Sequence, residues 1–379
     1  MTDATGPQPS PPDGQGAAKP PPLPPPPIVY AQPPVIRTGR GWKYLALILL
    51  VLLVISTAGD WFFWMDTGLP LDGEHHPADA LKERVVLGRS DAPKVALVDL
   101  QGLIWGSYVP AGDIGPVTLL RWQLERAARD EDVRAVLLRI DSPGGEVLAA
   151  DDISRAISDF QDRTGKPVVA VLGGVAASGG YYVAAPCRWI VANSLTLTGS
   201  IGVIVSSYNY RGLLDKVGVR PVVFKSGRFK NMLSGSRAPE EIPPEEARML
   251  QALVDDAFKR FKEVIQQGRT KAARANGDSG RPLADNWEEY ADGRILTGQE
   301  AYDLGFIDEL GDFDTALARA RQLAGIDTAN VVTYEPPRRF GGFLDLLGEA
   351  RTRTVRIELG SLPGPIEPGR PYFLYAPGL

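Results

Sequence analysis

Two apolar segments, each ending in a glycine-rich turn, constrain the fold of this chain more than any other feature. Residues 133–140 lead into Asp141-Ser142-Pro143-Gly144-Gly145, and residues 168–172 lead into Gly173-Gly174-Val175-Ala176-Ala177-Ser178-Gly179-Gly180. Short runs that are apolar throughout are typical of strands buried on both faces of a sheet. Glycines directly after a strand allow another backbone to approach closely.

The surrounding sequence alternates strand-like and helix-like patterns. We predict strands over residues 95–100, 133–140, 168–172, 189–192, 201–205, 220–225 and 331–334, and helices over residues 116–129, 148–160, 210–217 and 245–271. Repeated β–α units of this kind indicate an α/β fold whose sheet is covered by helices. The last of these helices has the strongest periodicity, and its length suggests packing across the domain or against a partner.

The N-terminal part of the chain predicts a membrane anchor. Residues 1–41 are rich in proline and read as a disordered cytoplasmic arm. Residues 42–65 are almost free of charge and long enough to cross a hydrocarbon core of about 30 Å as one helix. Positive charge precedes this segment, which keeps the N-terminus in the cytoplasm and places the rest of the chain outside. A cleaved signal peptide is the competing interpretation, because Ser56-Thr57-Ala58 offers small residues at a cleavage position.

The remaining organisation follows from composition. We expect a linker over residues 66–92, one compact domain over residues 93–336 and a peripheral C-terminal extension over residues 337–379. The net charge of −5 argues against a nucleic-acid partner. The single cysteine, Cys187, excludes an intramolecular disulfide and falls in an apolar stretch, so we expect a buried packing residue.

Ser178 is the candidate for chemistry, because it is placed where the predicted strand passes into a helix. A serine hydroxyl needs a proton acceptor to act as a nucleophile. The two histidines, His75 and His76, lie in the linker far upstream, so a Ser–His–Asp triad is not expected. Carboxylates and lysine remain, and the spacing alone leaves Lys225 and Lys230 both open as bases. The structural alternative is that Ser178 serves only to cap the helix.

The two glycine turns suggest how a developing negative charge is stabilised. Main-chain N–H groups in such turns can form an oxyanion hole for a tetrahedral intermediate. Candidate donors are Gly144 and Gly145 in the first turn, together with Ser178 or Gly179 in the second. The glycine-flanked strand edges could also take up an extended peptide by strand addition.

Four ordered blocks carry a specific family resemblance over about residues 94–326. They are Asp141-Ser142-Pro143-Gly144-Gly145, Val175-Ala176-Ala177-Ser178-Gly179-Gly180-Tyr181-Tyr182, Thr198-Gly199-Ser200-Ile201-Gly202-Val203 and Ser226-Gly227-Arg228-Phe229-Lys230-Asn231. Together they resemble the signature blocks of the signal peptide peptidase A family, which comprises membrane-anchored serine peptidases of the ClpP/crotonase-like fold. Asn231 is a departure, since the family more often has an acidic residue there.

The resemblance implies a role for each candidate residue. Ser178 would be the nucleophile, Lys230 the general base, Ser200 the residue that orients the lysine amine, and Gly145 an oxyanion donor. It also implies the short, single-domain form of the family, which assembles into a homo-oligomeric ring. The expected function is an endopeptidase that cleaves released signal peptides and other membrane-associated peptides on the extracytoplasmic side of a bacterial-type inner membrane.

No metal, nucleotide or other cofactor is implied. Two alternative interpretations remain at the level of the sequence: a crotonase-type acyl-CoA enzyme that shares the fold and its oxyanion glycines, and a non-catalytic membrane scaffold.

Overall fold

The computed structural model describes residues 43–44, 47–51, 53, 77–88, 92–106, 114–336 and 372–374. The chain divides into two compact units, Met1–Gly73 and Glu74–Leu379. In the first unit the described residues are helical. Within the described residues, no helix is both long enough and apolar enough to cross a membrane. Most of the segment predicted as an anchor, residues 42–65, lies outside the described residues, as do His75 and His76.

The second unit contains a nine-stranded sheet and a separate two-stranded sheet. The strands are β1 Lys82–Leu87, β2 Lys94–Gln101, β3 Val133–Ser142, β4 Gly144–Glu146, β5 Val168–Ala176, β6 Trp189–Ala192, β7 Leu197–Gly199, β8 Ile295–Thr297, β9 Glu309–Leu310, β10 Asn330–Glu335 and β11 Tyr372–Leu374.

The main path through the large sheet runs β1-β10-β2-β3-β5-β6-β9, and β7 joins it by pairing with both β5 and β8. All neighbours along this path are parallel except β1 and β10. The sheet is therefore mostly parallel, as the predicted β–α alternation requires. The two-stranded sheet pairs β4 with β11 in antiparallel orientation.

Helices cover both faces of this sheet. They are α1 Pro116–Arg129, α2 Val147–Thr164, α3 Gly179–Ala184, α4 Arg211–Lys216, α5 Pro244–Asn276, α6 Gly298–Asp303 and α7 Phe313–Ala324. Successive residues of a strand point to opposite faces, so the central strands must be apolar at every position. Ala96 and Leu138 pack with α1 and α2 on one face, and Leu97 and Leu137 pack with α7 on the other.

The long helix α5 has two different halves. One side of its C-terminal half is buried, and Gly268 approaches the core so closely that a Cβ there would lie 2.4 Å from the carbonyl oxygen of Ala185. In its N-terminal half, Met249 and Leu253 are 42% and 58% exposed. The predicted apolar side of this helix is therefore covered by the domain over only part of its length.

The predicted strand over residues 220–225 is wrong. These residues form no regular element, and Val222 and Phe224 are 77% and 95% exposed. Apolar β-branched residues favour a strand only where a neighbouring strand can accept the main-chain hydrogen bonds, and none of the described strands lies beside this segment. The strand predicted over residues 201–205 is likewise reduced to a single bridge between Ile204 and Tyr372.

Candidate active site

Ser178 lies where β5 ends and α3 begins, and its backbone is strained. Its φ of 54° and ψ of −117° fall in a region that costs a non-glycine residue about 1–3 kcal/mol. Three main-chain hydrogen bonds hold this turn: Ala177 donates to Ser142 over 3.1 Å, Ser178 to Gly199 over 2.8 Å, and Tyr182 to Ser178 over 2.9 Å. Strain of this kind concentrates at functional sites.

The hydroxyl of Ser178 is not used as a helix cap. Its side chain makes no capping hydrogen bond to α3. The residue is only 1% exposed, and its Oγ has no hydrogen-bond partner among the described residues. A buried polar group in that state costs about 1–3 kcal/mol. The geometry therefore disfavours the purely structural interpretation of this serine.

Glycine is required where the two turns pack together. Between the turns, a Cβ on Gly180 would lie 2.7 Å from the carbonyl oxygen of Ser142. In the first turn, a Cβ on Gly145 would lie 1.9 Å from the carbonyl oxygen of Ile104, which follows β2. Contacts below 3 Å with backbone atoms cannot be relieved by a side-chain rotation. The turn after β3 therefore lies beside the turn after β5, as expected because β3 and β5 are parallel neighbours in the sheet.

The candidate oxyanion donors differ in what they already bind. The N–H of Gly144 donates to Ser142 Oγ over 3.1 Å, so this amide is engaged within its own turn. Glu146 N donates to Ile104 O, and Gly144 O accepts from Ile104 N. Because main-chain groups alternate along a strand, the N–H of Gly145 points away from Ile104. Gly179 N has no backbone partner among the described residues.

The other edge of β4 is occupied by the chain's own C-terminal segment. Phe373 is paired with Gly145, and Leu374 with Gly144. Tyr372 exchanges two main-chain hydrogen bonds with Ile204, of 3.0 and 3.1 Å. An extended segment thus lies between β4 and Ile204, in contact with α3. The sequence does not predict this strand, because three residues in a Pro- and Gly-rich tail carry no periodic signal.

Ser200 lies immediately beside the serine turn. It has a positive φ of 50° and is 8% exposed. Its N–H donates to the carbonyl of Arg294 over 2.7 Å, and the preceding residue, Gly199, accepts from Ser178 N. Thr198 Oγ1 donates to Ala176 O over 2.7 Å. The structure therefore brings together Ser178, Ser200 and the two glycine turns.

Among the described residues, Lys230 is not hydrogen-bonded to the serine site. It is exposed and belongs to an irregular segment, residues 225–238, which we call the lysine loop. No hydrogen bond joins its side chain to Ser178 or Ser200 within the described part of the chain. The structure thus does not bring Lys230 into contact with the serine within one chain.

The two lysines of this loop have different surroundings. Lys225 Nζ donates to Arg228 O over 3.0 Å and to Asn231 Oδ1 over 2.6 Å. Its amine is therefore engaged in holding the loop. The amine of Lys230 has no hydrogen-bond partner recorded among the described residues. Asn231, the departure from the family pattern, is the residue that binds Lys225.

Cys187 is a packing residue, as predicted. It is free and buried, and burial raises the pKa of its thiol to about 12. The thiolate is the reactive form of cysteine, so this side chain contributes no nucleophile near neutral pH.

Comparison with known proteins identifies the family. The model of peptidase family S49 matches residues 161–327, which include Ser178, Ser200 and Lys230. "Putative protease slr0021" of Synechocystis sp. is 39% identical over 241 residues, covering 62% of this chain and 79% of the relative.

Two further relatives carry protease names. Protease 4 of Salmonella typhi is 30% identical over 277 residues, which are 72% of this chain and 42% of the relative. Serine protease SPPA, chloroplastic, of Arabidopsis thaliana is 33% identical over 243 residues, which are 63% of this chain and 34% of the relative. This chain therefore spans less than half the length of these two proteins.

The mostly parallel, helix-covered sheet fits the ClpP-like fold expected of this family. The chain belongs to peptidase family S49, the family of the signal peptide peptidase A proteins, and is a serine peptidase.

Proposed function

We propose that this chain is an endopeptidase with a Ser–Lys dyad, in which Ser178 is the nucleophile and Lys230 the general base. The observation that carries the proposal is the state of Ser178, whose backbone is strained and whose buried Oγ lacks a partner. Both features cost free energy, and an isolated structural role would not explain why both are kept.

The proposed reaction proceeds through an acyl-enzyme. Neutral Lys230 takes the proton of Ser178, and the serine oxygen attacks the carbonyl carbon of a peptide bond. The oxyanion of the tetrahedral intermediate accepts hydrogen bonds from the amide of Gly179 and from that of Gly145, once Phe373 has left the edge of β4. The protonated lysine returns its proton to the leaving amine, and water then hydrolyses the ester. Ser200 would accept or donate a hydrogen bond that orients the lysine amine.

The exposed position of Lys230 supports a dyad completed in an oligomer. Phe224 is 95% exposed, and Leu253 in the open half of α5 is 58% exposed. Large exposed apolar side chains suit surfaces that associate with another protein chain. We propose a homo-oligomeric ring in which the lysine loop of one protomer meets Ser178 of the next.

The proposed substrates are signal peptides released into the membrane and other membrane-associated peptides. A relative from Enterococcus faecium, 35% identical over 213 residues, is named "Putative signal peptide peptidase SppA". The predicted anchor over residues 42–65 would hold the peptidase domain on the extracytoplasmic face, close to such peptides. The edge of β4 that residues Tyr372–Leu374 occupy suits an extended peptide, which would bind through its main chain in place of that segment.

The test uses the full chain purified in detergent and an internally quenched apolar peptide. We expect Ser178→Ala and Lys230→Ala each to reduce kcat by at least about a thousandfold, as loss of an essential member of a catalytic unit does. Lys225→Ala is the comparison within the same loop: its amine holds the loop rather than acting as the base, so this variant should lose far less activity than Lys230→Ala. Retained turnover in Lys230→Ala would exclude the dyad.

Two further measurements bear on the chemistry. A covalent peptide adduct on Ser178, detected by mass spectrometry, is expected for the acyl-enzyme. The pH profile of the rate is the second measurement, and a profile controlled near pH 6.5 would indicate a histidine base in place of the lysine.

A further inference from the structure

Arg237 forms a buried ion pair with Glu246, in the first turn of α5. Its Nη1 lies 2.8 Å from each carboxylate oxygen of Glu246. The two side chains are only 7% and 3% exposed. Arg and Glu are almost never buried to this degree unless they are paired. The ion pair therefore joins the lysine loop, which contains Arg237, to the first turn of α5, which contains Glu246.

The guanidinium of Arg237 also binds two main-chain carbonyls. Nη1 also donates to Asn231 O over 3.3 Å, and Nη2 donates to Glu241 O. Asn231 directly follows Lys230, so the backbone next to the lysine is connected to the start of α5. A planar guanidinium with donors in a fixed fork can hold several acceptors at once, which a lysine ammonium on a flexible stem does less rigidly.

The main chain around Arg237 binds a second segment, residues 207–210. Asn209 Nδ2 donates to Arg237 O over 3.1 Å, and Tyr210 N donates to Gly235 O over 2.8 Å. A Cβ on Gly235 would lie 1.9 Å from the carbonyl oxygen of Tyr208, so the contact requires glycine. This segment follows the Ser200 turn along the chain. Arg237 thus lies where the segment from the Ser200 turn, the lysine loop and α5 meet.

We propose that Arg237, through its ion pair with Glu246, is a positioning residue that fixes the backbone of Lys230, so that its amine can reach Ser178 of the neighbouring protomer. The inference rests on the proposed role of Lys230 as general base. A base acts only within hydrogen-bond reach of the proton that it removes. Displacement of a reacting group by about 1 Å can reduce the rate by about a hundredfold. An exposed lysine on an irregular loop needs such a fixed backbone.

The experiment replaces the pair by apolar residues of similar size, Arg237→Met with Glu246→Met, so that no charge is left buried alone. The control is Arg269→Met with Asp308→Leu in the fully buried ion pair that holds Cys187 O and Ile190 N. The control pair has no recorded bond to the described lysine loop. The measurements are kcat, KM, thermal stability, oligomeric state and the rate of Ser178 acylation by a fluorophosphonate.

We expect the Arg237/Glu246 double variant to lose about 10- to 100-fold in kcat and in acylation rate, with KM and oligomeric state unchanged. The control should lose stability without a comparable loss of kcat in the folded protein. Arg237→Lys keeps the positive charge but loses the planar guanidinium, and it should show a smaller loss of kcat and of acylation rate. This variant replaces the double variant in the test if the double variant does not fold. In a Lys230→Ala background, the Arg237 change should have no further effect on acylation.

The results distinguish failure of the positioning role from failure of the dyad. If the Arg237/Glu246 variant keeps kcat while Lys230→Ala is inactive, the positioning role is wrong and the dyad stands. Equal losses of kcat in the test and control pairs would also overturn positioning, because they would reflect general destabilisation. Full activity of Lys230→Ala would overturn the proposed function itself.

Discussion

The main-chain N–H of Ser178 donates to the carbonyl of Gly199 over 2.8 Å, which locks the strained serine beside the turn that carries Ser200. Both serines have positive φ, 54° for Ser178 and 50° for Ser200. Neither conformation is stable in an isolated peptide, so each depends on the packing of the other turn. The site is therefore a property of two adjacent turns, and a change in either is expected to disturb both.

Substitution of Gly145 by alanine should abolish most of the activity. The added Cβ would lie 1.9 Å from Ile104 O, so β4 must move and its amide with it. Loss of an oxyanion donor costs about 100- to 1,000-fold in kcat. Gly174→Ala is the control, because a Cβ there meets no atom within 4 Å. Peptide cleavage rates of both variants test this, and an active Gly145→Ala enzyme would exclude this amide from the reaction.

Removal of the C-terminal strand should lower KM for extended peptides. Residues Tyr372–Leu374 occupy the edge of β4 that a peptide would use for strand addition. A chain ending at Pro371 should therefore bind substrate several-fold more tightly than one ending at Leu374, which keeps the described strand. Measuring KM for both truncated chains shows whether the C-terminal strand competes with the peptide. If the shorter chain instead loses stability and activity together, the strand is a structural part of the domain.

Breaking the buried pair of Arg269 and Asp308 should destabilise the domain strongly. Both side chains are 0% exposed, and Asp308 Oδ2 also accepts from Ile190 N over 2.7 Å. Arg269→Met leaves an uncompensated buried carboxylate, which costs about 3–5 kcal/mol. Urea denaturation of the variant measures this loss. A change below about 1 kcal/mol, the size expected for a surface pair, would contradict the burial seen here.

The ion pair between Lys94 and Asp130 should make stability depend on acid pH. Partial burial raises the pKa of the Asp130 carboxyl, but hydrogen bonds from Lys94 and from the Asp132 amide outweigh it and hold that pKa below its ordinary value of 3.8. A depressed carboxyl pKa contributes stability above pH 3.8, and the contribution is lost as the pH falls through the folded-state pKa.

Lys94→Met should therefore raise the midpoint pH of acid unfolding. Lys262→Met is the control, because its partner Glu288 is 59% exposed and such surface pairs contribute little. Circular dichroism between pH 2 and pH 6 measures both midpoints. Coinciding midpoints would show that the Asp130 carboxylate does not depend on Lys94.

Much of the β–α framework could be predicted from local pattern. The helix over residues 116–129 and the strand over residues 189–192 occur with the predicted bounds. Their core-facing apolar residues recur at a regular spacing, which can be read directly from the sequence. Local pattern fails at Val222 and Phe224, which are exposed. Their composition favours a strand, but no described strand lies beside them to pair with.

The sequence by itself determined the two glycine turns, because Gly145 and Gly180 lie where another backbone comes too close to leave room for a Cβ. Only the tertiary structure decided which amides of these turns are engaged, how Lys225 and Lys230 differ, and that the C-terminal segment lies along β4. The physical reason is that steric need for glycine and apolar periodicity are local properties. Hydrogen-bond partners come from residues far apart in sequence, and only folding brings them together.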